Sequence, residues 1–311
     1  MRDRADLHAI AQELARASKL SDRDTDARLE RVRDQKYWES LSPSIHIGKL
    51  SSIDDVNVDP LVQSRYHRFF NEEKYFETPV LIAPSTLAHL NAVIDAVTSA
   101  DWPAEFALVD DRFWLCARVP AIRALVEARL GQGYRQIPHV WLHVVRKVDG
   151  AGGWPPHFDG FRPNRISVWL ALTEATITNG CMFVVPPNAL PGTFRTLKIE
   201  TLPTEDVLRA MHATRVMPVP AGASLGWDFD VFHWGGRAVQ PGLERRALSM
   251  EFLAATESPE EDEVPILDVD APLPSLDLRL KVIAIGLDTY SKREPLSARF
   301  RSLTDELLKL G

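Results

Sequence analysis

The chain has 311 residues, of which 45% are hydrophobic and 25% are charged, a composition typical of a globular protein rather than a disordered, collagenous or membrane protein. Its 43 acidic and 36 basic residues give a net charge of −7, and the basic residues form no stripe with interleaved aromatic side chains, which argues against a nucleic-acid partner. The two cysteines, Cys116 and Cys181, lie outside any CxxC motif and are predicted to be buried thiols in a reducing compartment.

The N-terminal sequence gives no sign of a targeting segment. Its first 20 residues are charged and helical in pattern, and they lack the apolar centre of a signal peptide. No apolar run approaches the roughly 20 residues that a membrane-spanning helix needs. We therefore expect a cytoplasmic location and no membrane association.

Residues 1–70 are predicted to form helices that pack on the core, because apolar residues recur there at helical spacing among charged ones. A short strand is predicted to begin at Thr78. It is followed by a turn at Pro84 and then by a helix with Ser85 as the N-cap. A further helix is predicted over Pro120–Leu130, ending before a glycine.

From residue 139 the hydrophobic pattern changes to period two, in short runs separated by turn residues. The runs are HVWLHVVRK, ISVWLALTE, CMFVVP, TRVMPVP, ASLGWDF and RRALSMEFL. Short strands without alternating helices predict a jelly roll or barrel rather than a parallel α/β sheet. We expect residues 71–255 to form this mainly β core, with flanking helices that make the whole an α+β fold. Residues 188–213 interrupt the pattern and are predicted to form, together with the loop of residues 150–153, a mobile lid over the barrel mouth.

Residues 256–311 are predicted to be an acidic, proline-rich connector followed by two amphipathic helices. One helix has an apolar stripe of Leu276, Leu280, Ile283 and Leu287. The other has a stripe of Leu296, Phe300, Leu303, Leu307 and Leu310. We interpret both stripes as packing on the parent domain, and a homodimer formed through these helices is the alternative.

A candidate metal site combines the triplet His157-Phe158-Asp159 with His233. Chance alone gives about one His-x-acid triplet in a chain of this composition, so the surroundings must support the assignment. The triplet lies in a Gly/Pro-rich turn between predicted strands, and His233 lies in GWDFDVFHWGG, again among strands. Two histidines and one carboxylate hold Fe(II) on one face and leave positions open for an oxo acid and dioxygen. The alternatives are a turn histidine bonded to its neighbour and, for His233, a histidine of the barrel core.

A 2-oxo-dicarboxylate cosubstrate needs a cation for its distal carboxylate, and arginine suits this role because its planar fork donates two hydrogen bonds. Arg245 and Arg246 begin the run RRALSMEFL. Strand alternation puts Arg245 on a face with Ala247 and Ser249, whereas Arg246 shares the other face with larger apolar residues. The small polar face favours Arg245, and Arg246 is the alternative. Four nearby aromatic residues are interpreted as core, with a substrate pocket as the alternative: Trp227, Phe229, Phe232 and Trp234.

The order of the segments HFD, SVWLALTEATITNGCMFVVP, VPAGASLGWDFDVFHWGG and ERRALSMEF resembles the phytanoyl-CoA dioxygenase-like family of Fe(II)/2-oxoglutarate-dependent oxygenases, over residues 79–253. The resemblance implies a double-stranded β-helix core of the jelly-roll, cupin-like type. It also implies that Fe(II), 2-oxoglutarate and dioxygen are used. The iron ligands and catalytic residues would be His157, Asp159 and His233.

By the same resemblance, Arg245 anchors 2-oxoglutarate, and Trp169 and His143 belong to the cosubstrate pocket. Ser249 is placed in that pocket because it shares a strand face with Arg245. Simple packing is the alternative for Trp169 and His143. The sequence departs from the family's pattern at PPNALPG, where a Pro-Gly-Ser-His stretch is usual, and at WPPHFD, where a shorter Trp-His-x-Asp is usual.

The function implied by the resemblance is hydroxylation of a small molecule, and we favour tailoring of a natural product or an amino acid. Desaturation, epoxidation or rearrangement by the same cofactors is one alternative, and a barrel that binds a small molecule without turnover is another. Acyl-CoA substrates also occur in the family. The absence of a Lys/Arg cluster beside the motifs disfavours a CoA phosphate handle.

Overall fold

The computed structural model describes residues 22–145, 152–239, 244–290 and 300–310. The helices before the barrel are α1 (Asp22–Val32), α2 (Gln35–Leu41), α3 (Pro60–Glu73), α4 (Pro84–Ser99), α5 (Asp111–Cys116) and α6 (Pro120–Leu130). Later helices are α7 (Thr204–Ala213), α8 (Leu276–Tyr290) and α9 (Arg301–Leu307). Helix α4 begins at Pro84, where a turn was predicted, and the predicted N-cap was wrong. Ala83 is the N-cap, and the Ser85 hydroxyl donates to Asp54 instead.

The strands are β1 (Tyr75–Val80), β2 (Arg135–Gln136), β3 (Trp141–Val145), β4 (Arg165–Ala171), β5 (Met182–Val185), β6 (Arg215–Met217), β7 (Ala223–Asp228), β8 (Phe232–Gly235) and β9 (Arg245–Leu253). They form two antiparallel sheets. The larger sheet has the order β1-β7-β4-β9-β2, with β3 also paired to β9, and the smaller has the order β6-β5-β8. The predicted α+β class, with a β core and flanking helices, is confirmed.

Strand β4 shows how the sequence builds the two layers. All of its residues are buried, because helices cover one face of the large sheet and the small sheet covers the other. Ile166, Val168 and Leu170 belong to the cluster shared with the helices. Trp169 and Ala171 belong to the cluster shared with the small sheet. Period-two alternation thus sends one set of side chains to the helical layer and the other into the barrel.

The terminal regions pack on the large sheet through the same helix-facing cluster, which includes Trp38 of α2, Leu280 of α8 and Leu303 of α9. Buried Asp111 joins these regions: it accepts backbone N–H groups of residues 48, 49 and 50 and pairs with Arg279 of α8 at 2.7 Å. Packing of the stripe residues on the parent domain is therefore observed for both helices. Leu296 lies outside the described residues.

The three-part division of the chain at residues 70 and 255 stays a prediction, as does dimerisation through the C-terminal helices. Both cysteines are buried free thiols, as predicted. Within the described part of the chain, none of the helices has the length and apolar character needed to cross a membrane.

Candidate metal centre

The three predicted ligands lie together between the two sheets. Nε2 of His157 and Nε2 of His233 each lie 3.5 Å from Oδ1 of Asp159. The ligand atoms all lie within 4.8 Å of one another. A separation of 3.5 Å is long for a hydrogen bond, but it is close to the spacing of two ligands that each lie about 2.1 Å from one metal ion. Among the described residues, no other group of three or more His, Cys, Asp or Glu side chains has this geometry.

The backbone holds both imidazoles in the tautomer that a metal ligand needs. Nδ1 of His157 donates to the carbonyl oxygen of Pro155 at 2.7 Å, and Nδ1 of His233 donates to that of Val231 at 2.9 Å. Because a carbonyl only accepts, Nδ1 carries the proton and the Nε2 lone pair faces the centre. Burial lowers the pKa of His233 to about 4, so this ring is neutral and able to coordinate at neutral pH.

Asp159 is held by the oxygen that faces away from the histidines. Its Oδ2 accepts hydrogen bonds from the Ser167 hydroxyl at 2.6 Å and from the Trp227 indole N–H at 2.8 Å, which leaves Oδ1 for a metal. Burial raises the pKa of Asp159, whereas the two histidines when they are protonated, and the Ser167 hydroxyl, lower it below its usual range, so Asp159 is a carboxylate at neutral pH. Two neutral nitrogens and one anionic oxygen form a donor set that fits Fe(II).

A close main-chain crossing brings the ligands together. The segment that carries His157 and Asp159 runs antiparallel to β8, and His157 and His233 exchange two backbone hydrogen bonds of 3.0 Å. Nearer the start of the segment, a Cβ on Gly153 would lie 2.6 Å from Cα of Gly235, and one on Gly235 would lie 2.8 Å from Cα of Gly153. Only glycines permit this approach, so the GG pairs of the sequence set the path of the metal-binding turn.

Next to the ligands lies a buried cation, the guanidinium of Arg245. Arg245 is 1% exposed, and its guanidinium carbon lies 5.4 Å from the ring centroid of Trp169. No carboxylate of the described residues pairs with it, and its Nε has no hydrogen-bond partner. Burial lowers the pKa of Arg245 to about 10, which still leaves it charged at neutral pH. Because a buried charge without a partner is costly, this position fits an anionic ligand such as the distal carboxylate of 2-oxoglutarate.

Arg246 lies on the outer face of β9, where its charge is satisfied. It pairs with Glu244 and with Asp95 of α4, each at 2.5 Å, and donates to the Asn91 carbonyl. Arg245 thus lines a cavity that it shares with the three ligands, and Arg246 does not line that cavity.

The other predicted cosubstrate residues, His143, Trp169 and Ser249, line the same cavity as Arg245. Cross-strand pairing puts Ser249 opposite Trp169, and it puts His143 opposite Ala247. Nε1 of Trp169 has no hydrogen-bond partner, and burial together with Arg245 lowers the pKa of His143 to about 3. Neutral side chains therefore surround the guanidinium, and their role in cosubstrate binding stays a prediction.

Sequence reasoning missed the two donors to Asp159. Ser167 was given no role, and Trp227 was interpreted as core. A signal was available, because Ser167 is a small polar residue on the face of β4 that also carries Trp169. Of the other aromatic residues, Phe232 packs against Phe158 at 5.0 Å and Trp234 stacks on a ring of the small sheet at 5.4 Å.

We expect Trp227→Phe to weaken Fe(II) binding about tenfold, because Asp159 would lose one of the two donors that orient it while keeping its ligand oxygen. Calorimetric titration of the anaerobic apoprotein with Fe(II) measures this change. Trp234→Phe removes the same indole N–H outside the site and should leave the Kd unchanged. Equal losses in the two variants would contradict the orienting role of Trp227.

The predicted lid, residues 188–213, lies beside the turn that carries Asp159. Arg195 of this segment pairs with Asp230 at 2.9 Å and lies over the rings of Phe158 and Phe161. This contact attaches the insertion to the metal-binding turn, and closure over the site stays a prediction. Residues 150 and 151, predicted to move with the lid, lie outside the described residues.

Two antiparallel sheets that enclose a His-Asp-His group and a buried arginine define an oxygenase of the Fe(II)/2-oxoglutarate-dependent class, with a double-stranded β-helix fold. The chain belongs to the phytanoyl-CoA dioxygenase (PhyH) family, whose model matches residues 5–247. The match includes the N-terminal helices, whereas the sequence motifs indicated the family only from residue 79. The enzyme class and the use of Fe(II) and 2-oxoglutarate are thereby confirmed, and a binding barrel without turnover is disfavoured.

Solved structures with the same fold have low sequence identity to this chain. The non-haem α-ketoglutarate-dependent epimerase SnoN of nogalamycin biosynthesis is 18% identical with a TM-score of 0.53, covering 70% of this chain and 97% of its own. The non-haem monooxygenase ThoJ, solved as a nickel complex, is 19% identical with a TM-score of 0.52, covering 78% of this chain and 99% of its own. The carbocyclase SnoK of nogalamycin biosynthesis is 17% identical with a TM-score of 0.50, and the match covers 66% of this chain and 88% of SnoK. A comparison with curated protein sequences gives no match.

Proposed function

We propose that this oxygenase hydroxylates a small-molecule substrate in the tailoring of a natural product or an amino acid. One observation carries the proposal: the ligand atoms of His157, Asp159 and His233 converge beside Arg245, which pairs with no acid of the described residues, and a second cavity reaches His157 and Asp159 without including that arginine. A metal, an anionic cosubstrate and an organic substrate can therefore occupy adjoining positions.

When bound, Fe(II) supplies oxidation of a substrate C–H bond by dioxygen, with 2-oxoglutarate as the co-reductant. His157, Asp159 and His233 would hold the metal, and their hydrogen bonds to the backbone, Ser167 and Trp227 fix the orientation of the three side chains. Arg245 holds the distal carboxylate of 2-oxoglutarate by charge-assisted hydrogen bonds. The ring of Trp169 and the thioether of Met182 lie against that guanidinium and keep water from it.

Rearrangement is the second candidate outcome. SnoN is an epimerase and SnoK a carbocyclase, and both are from nogalamycin biosynthesis. Their similarity to this chain supports a natural-product substrate. It also makes epimerisation and ring closure the alternatives to hydroxylation. Because the same cofactors serve each outcome, the position of the substrate relative to the metal decides among them.

Incubation of the Fe(II)-loaded enzyme with 2-oxoglutarate, ¹⁸O₂ and a panel of amino acids and natural-product scaffolds tests the proposal. Substrates are identified by an increase in succinate release, and their products by mass spectrometry. The proposal predicts a product that contains one ¹⁸O atom. A product with two fewer hydrogens, or an unlabelled isomer, would replace hydroxylation with desaturation or rearrangement.

A further inference from the structure

The second cavity that reaches the metal ligands has a volume of about 500 Å³ and is lined by His157 and Asp159 but not by Arg245. Cavities of this size accommodate an organic molecule of moderate size. Much of its wall is aromatic, formed by Trp154, Phe158, Phe161, Phe229 and Tyr290. The walls therefore suit an apolar ring or chain placed beside the metal ligands.

The polar part of the wall is acidic. Besides the metal ligand, its carboxylates are those of Glu251, Asp262 and Glu263. Arg165 binds Glu263 at 2.7 Å, and the lining residue Arg162 pairs with Glu260 at 2.7 Å. Arg162 is thus already paired with an acid, and the carboxylates of the described lining outnumber its cations, Arg162 and His139.

Glu251 has one oxygen engaged and one available. Its Oε2 lies 3.1 Å from Nδ1 of His139, and Nε2 of the same ring lies 3.1 Å from the carbonyl oxygen of Asp262. Burial alone would lower the pKa of His139, but the hydrogen bond to Glu251 outweighs it and raises the pKa to about 9, so the ring donates from both nitrogens. The Glu251 side chain is 13% exposed, and its Oε1 accepts no hydrogen bond from the described residues.

Strand β9 places Glu251 next to the metal ligands. Glu251 shares the inner face of β9 with Arg245 and Ser249, and it pairs with Ser167 of β4. The Ser167 hydroxyl holds Asp159, and directly opposed residues of antiparallel strands have Cβ atoms roughly 5 Å apart. The inner face of β9 thus carries a cation beside the cosubstrate cavity and a carboxylate beside the second cavity.

We propose that Glu251 orients the substrate, and that the substrate has an apolar body bearing a hydroxyl or, more favourably, an ammonium group rather than a carboxylate or phosphate. This inference rests on the proposed function. The aromatic walls hold the body, and Oε1 of Glu251 accepts a hydrogen bond from the donor group, which fixes the distance between the metal and the bond to be oxidised. An anionic group would face Glu251 and Asp262, and the cations of the described lining, Arg162 and His139, already pair with acids, so the cavity disfavours it.

Three probes with the same ring test this inference: 2-phenylethylamine, 2-phenylethanol and 3-phenylpropanoate. Their binding to the anaerobic holoenzyme, loaded with Fe(II) and 2-oxoglutarate, is measured by ligand-detected NMR. In the unmodified protein we expect the amine to bind at least tenfold more tightly than the carboxylate, because a hydrogen bond between charged groups is favoured in a buried site. Glu251→Gln should weaken amine binding about tenfold and change alcohol binding little, because an amide oxygen still accepts a hydrogen bond.

Asp262→Asn is the matched control, since it removes one negative charge from the same cavity without touching Glu251. It should weaken amine binding less than Glu251→Gln does. Equal binding of amine and carboxylate by the unmodified protein, no binding of the amine, or equal effects of the two substitutions would overturn the inference. Binding of 2-oxoglutarate is followed in the same samples. Its failure in the unmodified protein would overturn the proposed function, whereas its retention without an amine preference would overturn only the role of Glu251.

Discussion

Replacement of Asp159 by alanine is expected to abolish 2-oxoglutarate turnover and to remove tight Fe(II) binding. Asp159 supplies the single anionic oxygen of the three-ligand group, and its Oδ1 lies 3.5 Å from Nε2 of each histidine. A group that binds a metal through three side chains has no spare ligand, so His157→Ala and His233→Ala should have the same effect. Fe(II) content per chain and succinate release measure the two losses independently.

His89→Ala is a suitable control for the histidine variants, because His89 is exposed on α4, a helix of the layer outside the large sheet. It should retain one Fe(II) per chain and full succinate release. Near-normal succinate release by Asp159→Ala would contradict the assignment of this side chain as a ligand. Loss of folded structure in the variants is excluded by circular dichroism of the apoproteins.

The second large effect is expected at Arg245. Arg245→Ala should raise the Kd for 2-oxoglutarate at least tenfold, because a charge-assisted bidentate contact in a buried pocket contributes about 1.5 to 3 kcal/mol. Arg245→Lys should recover part of the affinity, since an ammonium keeps the charge and loses the planar fork. Anaerobic titration with 2-oxoglutarate at fixed Fe(II) separates binding from turnover.

The neighbouring Arg246 provides a control from the same strand. Its guanidinium pairs with Asp95 and Glu244 on the outer face, so Arg246→Ala should change the Kd for 2-oxoglutarate little. Any effect on the free energy of unfolding should be about 1 kcal/mol or less, as is usual for a partly exposed ion pair. A large loss of 2-oxoglutarate binding in Arg246→Ala with normal binding in Arg245→Ala would mean that β9 presents the opposite face to the cavity.

Period-two patterning predicted much of the barrel because β4 and β9 bury different side chains on their two faces. The alternation in RRALSMEFL sufficed to place Arg245 and Ser249 on one face and Arg246 on the other. The order of the family motifs predicted that His157, Asp159 and His233 lie together, as they do in the structure. These features are local in sequence, so a single chain can reveal them.

Features that depend on distant partners were not predictable. Strand β8 has only four residues between turns, and its pairing with β5 and with the His157 segment stabilises it. His139 and Glu251 are 112 positions apart, and nothing in the sequence pairs them. Serine is a common N-cap residue, but Pro84 occupies the first helical position of α4, so the N-cap is Ala83, two residues before Ser85.

The identity of the centre is best tested by a single-turnover experiment with the apoprotein. The protein is loaded anaerobically with one equivalent of Fe(II) and of 2-oxoglutarate, then exposed to dioxygen, and succinate is quantified. The geometry around His157, Asp159, His233 and Arg245 predicts slow formation of succinate without added substrate, and none from Asp159→Ala under the same conditions. The assignment of this site as an Fe(II)/2-oxoglutarate centre would be contradicted if the unmodified protein bound no Fe(II) there. It would also be contradicted if the protein formed no succinate either with or without the substrate panel.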